Sequence, residues 1–546
     1  MKISVLLLTI AFCLFISGGK SKAQNYFNSQ AKEWLRKAEL LKPQLSESIK
    51  RPVSTIMVTA DSSAFQGWRV SKKGSIDEFY QSSFKEQKIA YIDFGEHLTG
   101  YFSFQTRVLV RTQDAPVRLK LTFAEVPSEL AVPFDPFPGQ LSRAWLQDET
   151  VTITLMPGTI TIPRRLAFRF VKIELLSNCP YYDFCISAME CKATTSVTKN
   201  ADPLPALADP AIVAIDHVGL NTLKECMQTV YEDGPKRDQR LWIGDLYLES
   251  LANIYSFKNH NLTKRCLYLL ASVCNEDGFI HANVFELPEP HPQKGSHIVD
   301  YALLYGVTLL EYTKATGDLE TAADLWPVAI KQFEFLRKYW DNEALFDPNS
   351  AKNLWVFIDW KDGLDKQASM QGLMIFTINK MLELASLLNK TDEVKDFGIL
   401  AQQMKKSARK YLWDKTNKIV LSGPERQVSL ASQIWMILGD VLSKEEGIAA
   451  LDKVTAEPTA LKPGAPYLFH YYIEALIKCG MDQEAKKALV TYWGGMVNKG
   501  ADTFWEVYDP ANEQLSPYNY YPINSYCHAW SCTPVYFIRK YPKIFQ

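Results

Sequence analysis

The sequence predicts a multidomain α and β protein: an N-terminal antiparallel β-sandwich followed by an (α/α)6 toroid. Three observations carry this expectation. Residues from about 56 to 195 alternate apolar and polar with period two, whereas residues from about 208 onward repeat at the helical period. The helical part divides into about twelve helices of two alternating kinds. At 546 residues, the chain is also too long for a single hydrophobic core. The division expected is 1–23 as a signal peptide, 24–199 as an N-terminal helix with the β-sandwich, and 200–546 as the helical domain.

The chain opens with Lys2, an apolar run from Val5 to Ile16, and Ser17, Gly18 and Gly19. Ser21, Lys22 and Ala23 before Gln24 suit a small-x-small cleavage site, so this stretch reads as a secretory signal peptide. It is too short to span a bilayer usefully, and Cys13 lacks the small residue before it that a lipoprotein site wants. With no later membrane span in sight, the protein is expected to be exported to the periplasm or the exterior. Nine cysteines remain after cleavage, none paired with His at zinc spacing, so buried thiols are expected and no metal site. No EF-type loop supports calcium, and no cofactor is implied.

Residues 24 to about 50 read as a helix with Trp34, Leu35, Leu40 and Leu41 on one face. Strand patterns follow at Ile89–Phe94, Tyr101–Val110, Val117–Phe123, Val151–Leu155 and Val171–Leu175, separated by turn residues. No catalytic constellation is visible in this part, and the sandwich is expected to pack on its neighbour. Residues 196–210 are a proline-rich linker. Helices are then expected at 208–229, 240–257, 261–274, 297–317, 318–341, 364–390, 391–414, 426–443, 444–457, 467–481, 482–500 and 526–541. One set follows long loops and is rich in aromatic and aliphatic residues, as in Tyr301–Leu310 and Tyr467–Leu476. The other follows tight acidic turns, such as those at Asp318, Asp392 and Ser443, whose side chains satisfy first-turn N–H groups. Long loop, buried helix, short turn and outer helix, repeated six times, describe a toroid. Its long loops open on one end and build a cleft there.

Charge is balanced, with Lys+Arg 60 against Asp+Glu 61, which argues against nucleic acid or an anionic membrane as partner. The chemistry concentrates in four stretches. Glu232 to Asp245 holds the carboxylates Glu232, Asp233, Asp238 and Asp245, the cations Lys236, Arg237 and Arg240, and Trp242. Alone, it reads as a salt-bridged loop entering a helix. Leu354 to Asp365 places Asp359 beside Trp360. Gly500 to Asp509 carries Trp505 and Glu506, and Asn524 to Ser531 carries His528. Carboxylates and Arg hydrogen-bond sugar hydroxyls, and Trp covers an apolar sugar face. Glycoside hydrolysis needs two carboxyls facing each other across a sugar, one of them protonated by burial or a like charge. The cluster of Asp233, Asp238 and Asp245 can hold a proton in that way.

In these motifs, and in their order, residues 200–546 resemble the bacterial α-L-rhamnosidases of glycoside hydrolase family seventy-eight, six-hairpin glycosidases. The β-rich segment with Asp93, Phe94, Gly95 and later Gly100 and Tyr101 resembles the sandwich that precedes the family's barrel. The resemblance implies an exo-acting inverting hydrolase that releases terminal α-L-rhamnose from oligo- or polysaccharides. It implies Asp238 as general acid and Glu506 as general base. Asp233, Arg237 and Asp245 match residues that hold the rhamnose hydroxyls, Trp242 and Trp360 match aromatic walls, and His528 matches a sugar-contacting histidine. Asp359 enters the candidate set with Trp360. The family's acid is commonly Glu in a run Arg-Asp-Glu-Arg, whereas here the run is Arg237, Asp238, Gln239, Arg240. Either Asp238 serves, one methylene shorter, or Gln239 stands where the acid should be; the spacing to Trp242 favours Asp238. The family usually continues into a C-terminal β-sandwich, and with this sequence ending at Gln546 the subsites built there are expected to be missing. Two alternatives stay open. One is another inverting glycosidase on the same toroid, such as an unsaturated glucuronyl hydrolase using Lys236, Arg237 and Arg240 for a uronate. The other is a catalytically silent glycan-binding protein.

Overall fold

The structure, a computed structural model, describes residues 26–546. The expected signal peptide lies outside the described residues. A helix over residues 26–40 opens the described chain. It ends earlier than the sequence suggested: Ser46–Lys50, expected to be helical, is a strand paired antiparallel with Asp183–Thr195. Pro43 lacks an N–H and biases the preceding residue away from the α region, which stops the helix there. The helix packs on the helical domain. Trp34 is fully buried in that domain's core, and both Trp34 Nε1 (3.2 Å) and Lys37 Nζ (2.6 Å) donate to Asp324. Leu40, expected on the buried face, is exposed.

The β domain is one antiparallel sheet, nine-stranded among the described residues. Its organising element is the 22-residue strand Ile89–Val110. The first half pairs with Leu166–Ser177 and the second half with Asp183–Thr195, with a register break between Asp93 and Leu98. The alternation seen in the sequence sends Phe94, Phe102, Phe123 and Phe168 inward, where their rings meet edge-on at 5.1–6.2 Å between centroids.

After the linker come the twelve helices of the barrel. An inner ring is formed by Ile243–Ile254, Val299–Thr316, Gln367–Leu387, Leu430–Leu438 and Pro466–Lys478, each packed on the next. The segment 529–540 touches both the last and the first of these and closes the ring. Pro210–Cys226, His260–Ser272, Leu319–Leu336, Lys395–Tyr411, Lys444–Ala456 and Asp482–Asn498 lie outside. The two kinds of helix differ as their sequences do. Every residue of Leu430–Leu438 is buried, whereas Lys395–Tyr411 buries only Ala401, Met404, Ser407 and Ala408. The acidic turns cap the outer helices as expected: Asp318 accepts from Thr321 N at 3.0 Å, and Ser443 with Glu446 forms a capping box. The last expected helix starts late. Ala529–Cys532 is a 3-10 turn and the α-helix begins at Pro534. Residues 525–528 give their backbone groups to neighbouring loops instead, and that difference builds the site.

Candidate active site

The loop from Asp233 to Arg240 folds around the Asp233 carboxylate. Asp233 Oδ2 accepts from Asp238 N (3.1 Å) and Oδ1 from Arg240 N (3.2 Å), and the Asp233 and Arg240 backbones bond at 3.0 Å. Gly234 is forced by packing, since a Cβ there would stand 2.4 Å from Ser525 Oγ and 2.6 Å from the Arg237 carbonyl. The peptide joining Arg237 to Asp238 is cis. This loop is tied to two distant stretches. Ala529 N donates to Asp233 O (2.8 Å), His528 N to Phe504 O (2.9 Å), and Glu506 N to Ser525 O (2.9 Å). Three of the four motifs therefore share one backbone network, which satisfies buried N–H and C=O groups without a helix.

Together they surround a cavity of about 350 Å³ at the N-terminal ends of the inner helices. Asp233, Arg237, Asp238, Trp242, Asp245, Trp360, Glu506 and His528 all line it. Asp245 sits in the first turn of Ile243–Ile254, where a carboxylate is favoured by the free N–H groups and the helix dipole. Asp359 is placed differently. It is buried behind the wall, with Oδ2 accepting from Gly464 N at 2.6 Å, and the lining at that point is Phe357 and Trp360. Gln239 also turns away: its side-chain amide donates to Pro235 O at 2.7 Å, leaving Asp238 as the carboxyl that faces the cavity.

Arg237 is the centre of the electrostatics. Its Nη2 donates to Glu506 Oε2 at 2.5 Å, and its Nη1 lies 3.4 Å from Asp238 Oδ1. The terminal nitrogens of a guanidinium are about 2.3 Å apart, so these two carboxyl oxygens lie within roughly 8 Å of one another. Tyr518 Oη donates to Glu506 Oε1 at 2.5 Å and Ser525 N to Oε2 at 3.1 Å. Burial works against the charge of Glu506, yet Arg237 foremost, with His528, Tyr518 and Ser525, holds its carboxyl down to about 2. Asp233 goes the other way: burial, and next the charge of Asp238, push it up to about 8. Burial likewise raises Asp245, and it raises Asp359 to about 7. His528 is raised despite its burial, by Asp245 and Glu506; its Nε2 lies 3.4 Å from Asp245 Oδ1, at ion-pair distance but without hydrogen-bond alignment.

Several buried polar atoms around the cavity make no hydrogen bond within the protein: both ring nitrogens of His528, Asp245 Oδ1, Trp242 Nε1, Trp360 Nε1 and Arg240 Nε. Donors and acceptors mixed in this way suit a polyol, whose hydroxyls do both. The remaining wall is aromatic. Phe357 lies 5.0 Å from Trp360 and 5.7 Å from Trp530, and Trp360 lies 5.8 Å from Tyr518, between ring centroids. Sequence reasoning missed much of this wall. Trp355 is 44% exposed and lines the cavity with Tyr301, Tyr518 and Trp530, none of which the sequence marks as wall. Leu141 and Trp145 reach in from the β domain, where nothing local marks them.

The β domain also braces the loop. Lys236 points away from the cavity and is buried between Glu125 (3.0 Å) and Glu129 (2.8 Å), and Arg165 pairs with Glu232 at 2.6 Å. The described cysteines are all free thiols. Among the described residues no helix is long and apolar enough to cross a membrane, and no group of three or more His, Cys, Asp or Glu side chains could hold a metal ion.

Comparisons with known proteins match both parts of the chain. A family model described as the bacterial alpha-L-rhamnosidase 6 hairpin glycosidase domain matches residues 208–541. Another, the glycosyl hydrolase family 78 alpha-rhamnosidase N-terminal domain, matches residues 52–193. Among solved structures, a rhamnosidase from Klebsiella oxytoca with rhamnose bound is 39% identical, with a TM-score of 0.91 over 94% of this chain and 99% of that one. A family 78 rhamnosidase of Bacillus sp. GL1 is 20% identical, with a TM-score of 0.68 over 82% of this chain and 46% of that one. An alpha-L-rhamnosidase of Streptomyces avermitilis complexed with L-rhamnose is 15% identical, with a TM-score of 0.65 over 91% and 44%. The last two share the fold. No curated protein matches the chain.

Proposed function

The chain belongs to the bacterial α-L-rhamnosidases of glycoside hydrolase family 78, and on that footing we propose that it is an exported, exo-acting enzyme that removes terminal α-L-rhamnose from oligo- or polysaccharides with inversion at the anomeric carbon. The observation that carries the reading is the single guanidinium of Arg237 in contact with Asp238 and Glu506 across a cavity the size of a sugar ring. An inverting glycosidase separates its carboxyls by roughly 6.5–9.5 Å to admit a water. The bound of roughly 8 Å set by Arg237 admits such a spacing.

In this reading Asp238 is the group that passes a proton to the leaving glycosidic oxygen. Glu506, ionised throughout the working range, takes a proton from the water that attacks the opposite face. Arg237 and Ser525 take the lone pairs of Glu506 Oε2 and Tyr518 takes one on Oε1, which leaves one of the roughly four sites, on Oε1, for that water. Positive charge develops on the ring, and the carboxylates around it stabilise that charge. The aromatic wall of Phe357, Trp360 and Trp530 suits a 6-deoxy sugar, whose methyl group seeks apolar contact.

A uronate-processing cleft would need a free cation. Lys236 is engaged by Glu125 and Glu129, Arg237 by Glu506, and Arg240 lies 4.1 Å over the Phe285 ring and beside Asp238. The rhamnoside reading is tested with nitrophenyl α-L-rhamnoside against an unsaturated uronide, the first-formed anomer being followed by NMR. Release of β-L-rhamnose is expected; α-L-rhamnose as first product would remove the inverting mechanism, and cleavage of the uronide alone would remove the substrate assignment.

A further inference from the structure

The chain between Glu506 and Ser525 leaves the site and returns to it. Its two ends are joined: Glu506 N donates to Ser525 O (2.9 Å), and Ser525 N donates to Glu506 Oε2 (3.1 Å). The stretch between them is tied to itself. Ser516 Oγ donates to Asn524 Oδ1 (2.7 Å), Asn524 Nδ2 to Leu515 O (2.8 Å), and Tyr518 N to Ser516 Oγ (3.2 Å). Asn519 takes a left-handed conformation, φ 60°, which asparagine tolerates better than most residues. The tyrosines on either side of it go to different partners. Tyr518 lines the cavity and donates to Glu506 Oε1, whereas Tyr520 does not line it and donates to Pro133 O of the β domain at 2.7 Å.

The β domain holds the loop at this point. Gln140 N donates to Tyr518 O at 3.1 Å, and the Phe137 and Tyr520 rings meet edge-on at 5.5 Å between centroids. Both tyrosines pack against a small core of Phe134, Leu146 and Ile523. The Tyr518 ring is fixed from the barrel side too: the Arg237 guanidinium lies 4.5 Å over it, and Trp360 meets it edge-on at 5.8 Å between centroids.

These contacts set the direction of one lone pair. A carboxylate offers roughly four acceptor sites, two on each oxygen. Arg237 and Ser525 take those of Glu506 Oε2, and Tyr518 takes one of Oε1. A water that Glu506 deprotonates is then left with a single acceptor site. Without the phenol hydroxyl Oε1 offers two, and nothing selects the one that aims the water at the anomeric carbon.

We propose that Tyr518 is the positioning residue of the general base, and that the β-domain segment 133–146 sets it there, so that the β domain contributes to the reaction through the clasp on Tyr518 and Tyr520. This rests on the rhamnosidase reading with Glu506 as base.

The test compares Tyr518→Phe, Tyr520→Ala and the double variant of the full chain on nitrophenyl α-L-rhamnoside, with rhamnose affinity measured by calorimetry to report on the cavity. Tyr518→Phe keeps the ring and removes the donor. It is expected to lower kcat by about tenfold to 10²-fold, with KM and rhamnose affinity within about threefold of wild type. Tyr520→Ala, outside the cavity, is expected to lower kcat by about three- to tenfold with the same split. On top of Tyr518→Phe it should add less than about twofold, because both act through one hydrogen bond. Tyr520→Phe, which keeps the ring on Phe137 and loses the bond to Pro133, serves for the same comparison should the alanine weaken rhamnose binding. A raised KM with kcat kept in Tyr518→Phe makes Tyr518 a binding wall and overturns the proposal. A Tyr520 variant without effect, or with a loss that multiplies that of Tyr518→Phe, separates the β domain from Tyr518 and also overturns it. If Tyr518→Phe matches wild type, the positioning role falls and the rhamnosidase reading stands; if the wild type cleaves no α-L-rhamnoside, both fall.

Discussion

Arg237 donates to Glu506 across 269 residues of sequence, at 2.5 Å, and neither group is more than marginally exposed. That contact keeps Glu506 ionised in a buried place where an unpaired carboxylate would hold a proton. Replacing Arg237 with Met removes the cation while keeping much of the stem. Since Glu506 must be ionised to act as base, the wild type loses this function only as pH falls through about 2. In the variant the acid limb of the kcat/KM profile is expected to move up into or above the ordinary carboxylate range. Activity at neutral pH is expected to fall by about 10²-fold or more. A profile with the limb unmoved would separate Arg237 from Glu506.

Asp238→Asn keeps the shape of the side chain and removes the proton it donates. Turnover of nitrophenyl α-L-rhamnoside is expected to fall by about 10²–10⁴-fold. Rhamnose binding, measured by calorimetry, should stay within a few-fold of wild type. A variant that retains turnover would move the acid to another group.

Asp233 titrates at about 8 in the folded protein, against an ordinary carboxyl value of 3.8. A group raised on folding binds its proton more tightly in the native state. Its contribution to stability is therefore full below about pH 4 and lost as pH rises through about 8. Asp233→Asn is neutral at all pH and should flatten that part of the curve. Thermal unfolding at pH 5 and pH 8 checks it: the gap in Tm between the two is expected to be smaller in the variant. An unchanged gap would place the proton elsewhere.

Lys236 is the single cation between Glu125 and Glu129, and all three are buried. Lys236→Met leaves two carboxylates in the domain interface without it. A loss of about 3–5 kcal/mol in denaturant unfolding is expected. A loss under about 1 kcal/mol would mean that His97, 3.0 Å from Glu125, carries the balance.

Trp355 is half-exposed and reaches the cavity from its rim, so it is a wall that can be removed without opening the core. Trp355→Ala is expected to raise KM by about three- to tenfold with kcat nearly unchanged, the pattern of binding lost equally from ground and transition state. A fall in kcat alone would contradict a rim position.

Much of this protein is legible one stretch at a time. Period-two alternation over Ile89–Val110 and helical periodicity after Pro210 mark the two domains, because burying one face of a strand or helix is a local demand on residue order. Acidic turns at Asp318 and Ser443 announce the outer helices for the same local reason. The four motifs and their order were visible as clusters of charge and tryptophan. Which atoms meet was not visible, because those contacts join residues far apart in the chain. Asp238 and Gln239 are neighbours, and only the fold of the loop around Asp233 turns one to the cavity and the other away. Trp145 carries no local sign of a role; it becomes a wall because the β domain docks beside the barrel mouth. Lys236 reads in sequence as one more cation of a basic pocket, and the approach of Glu125 and Glu129 makes it a brace instead. Periodicity is a property of neighbours along the chain and is written there, whereas electrostatics and shape at a cleft depend on distance in space, which only the packed molecule sets.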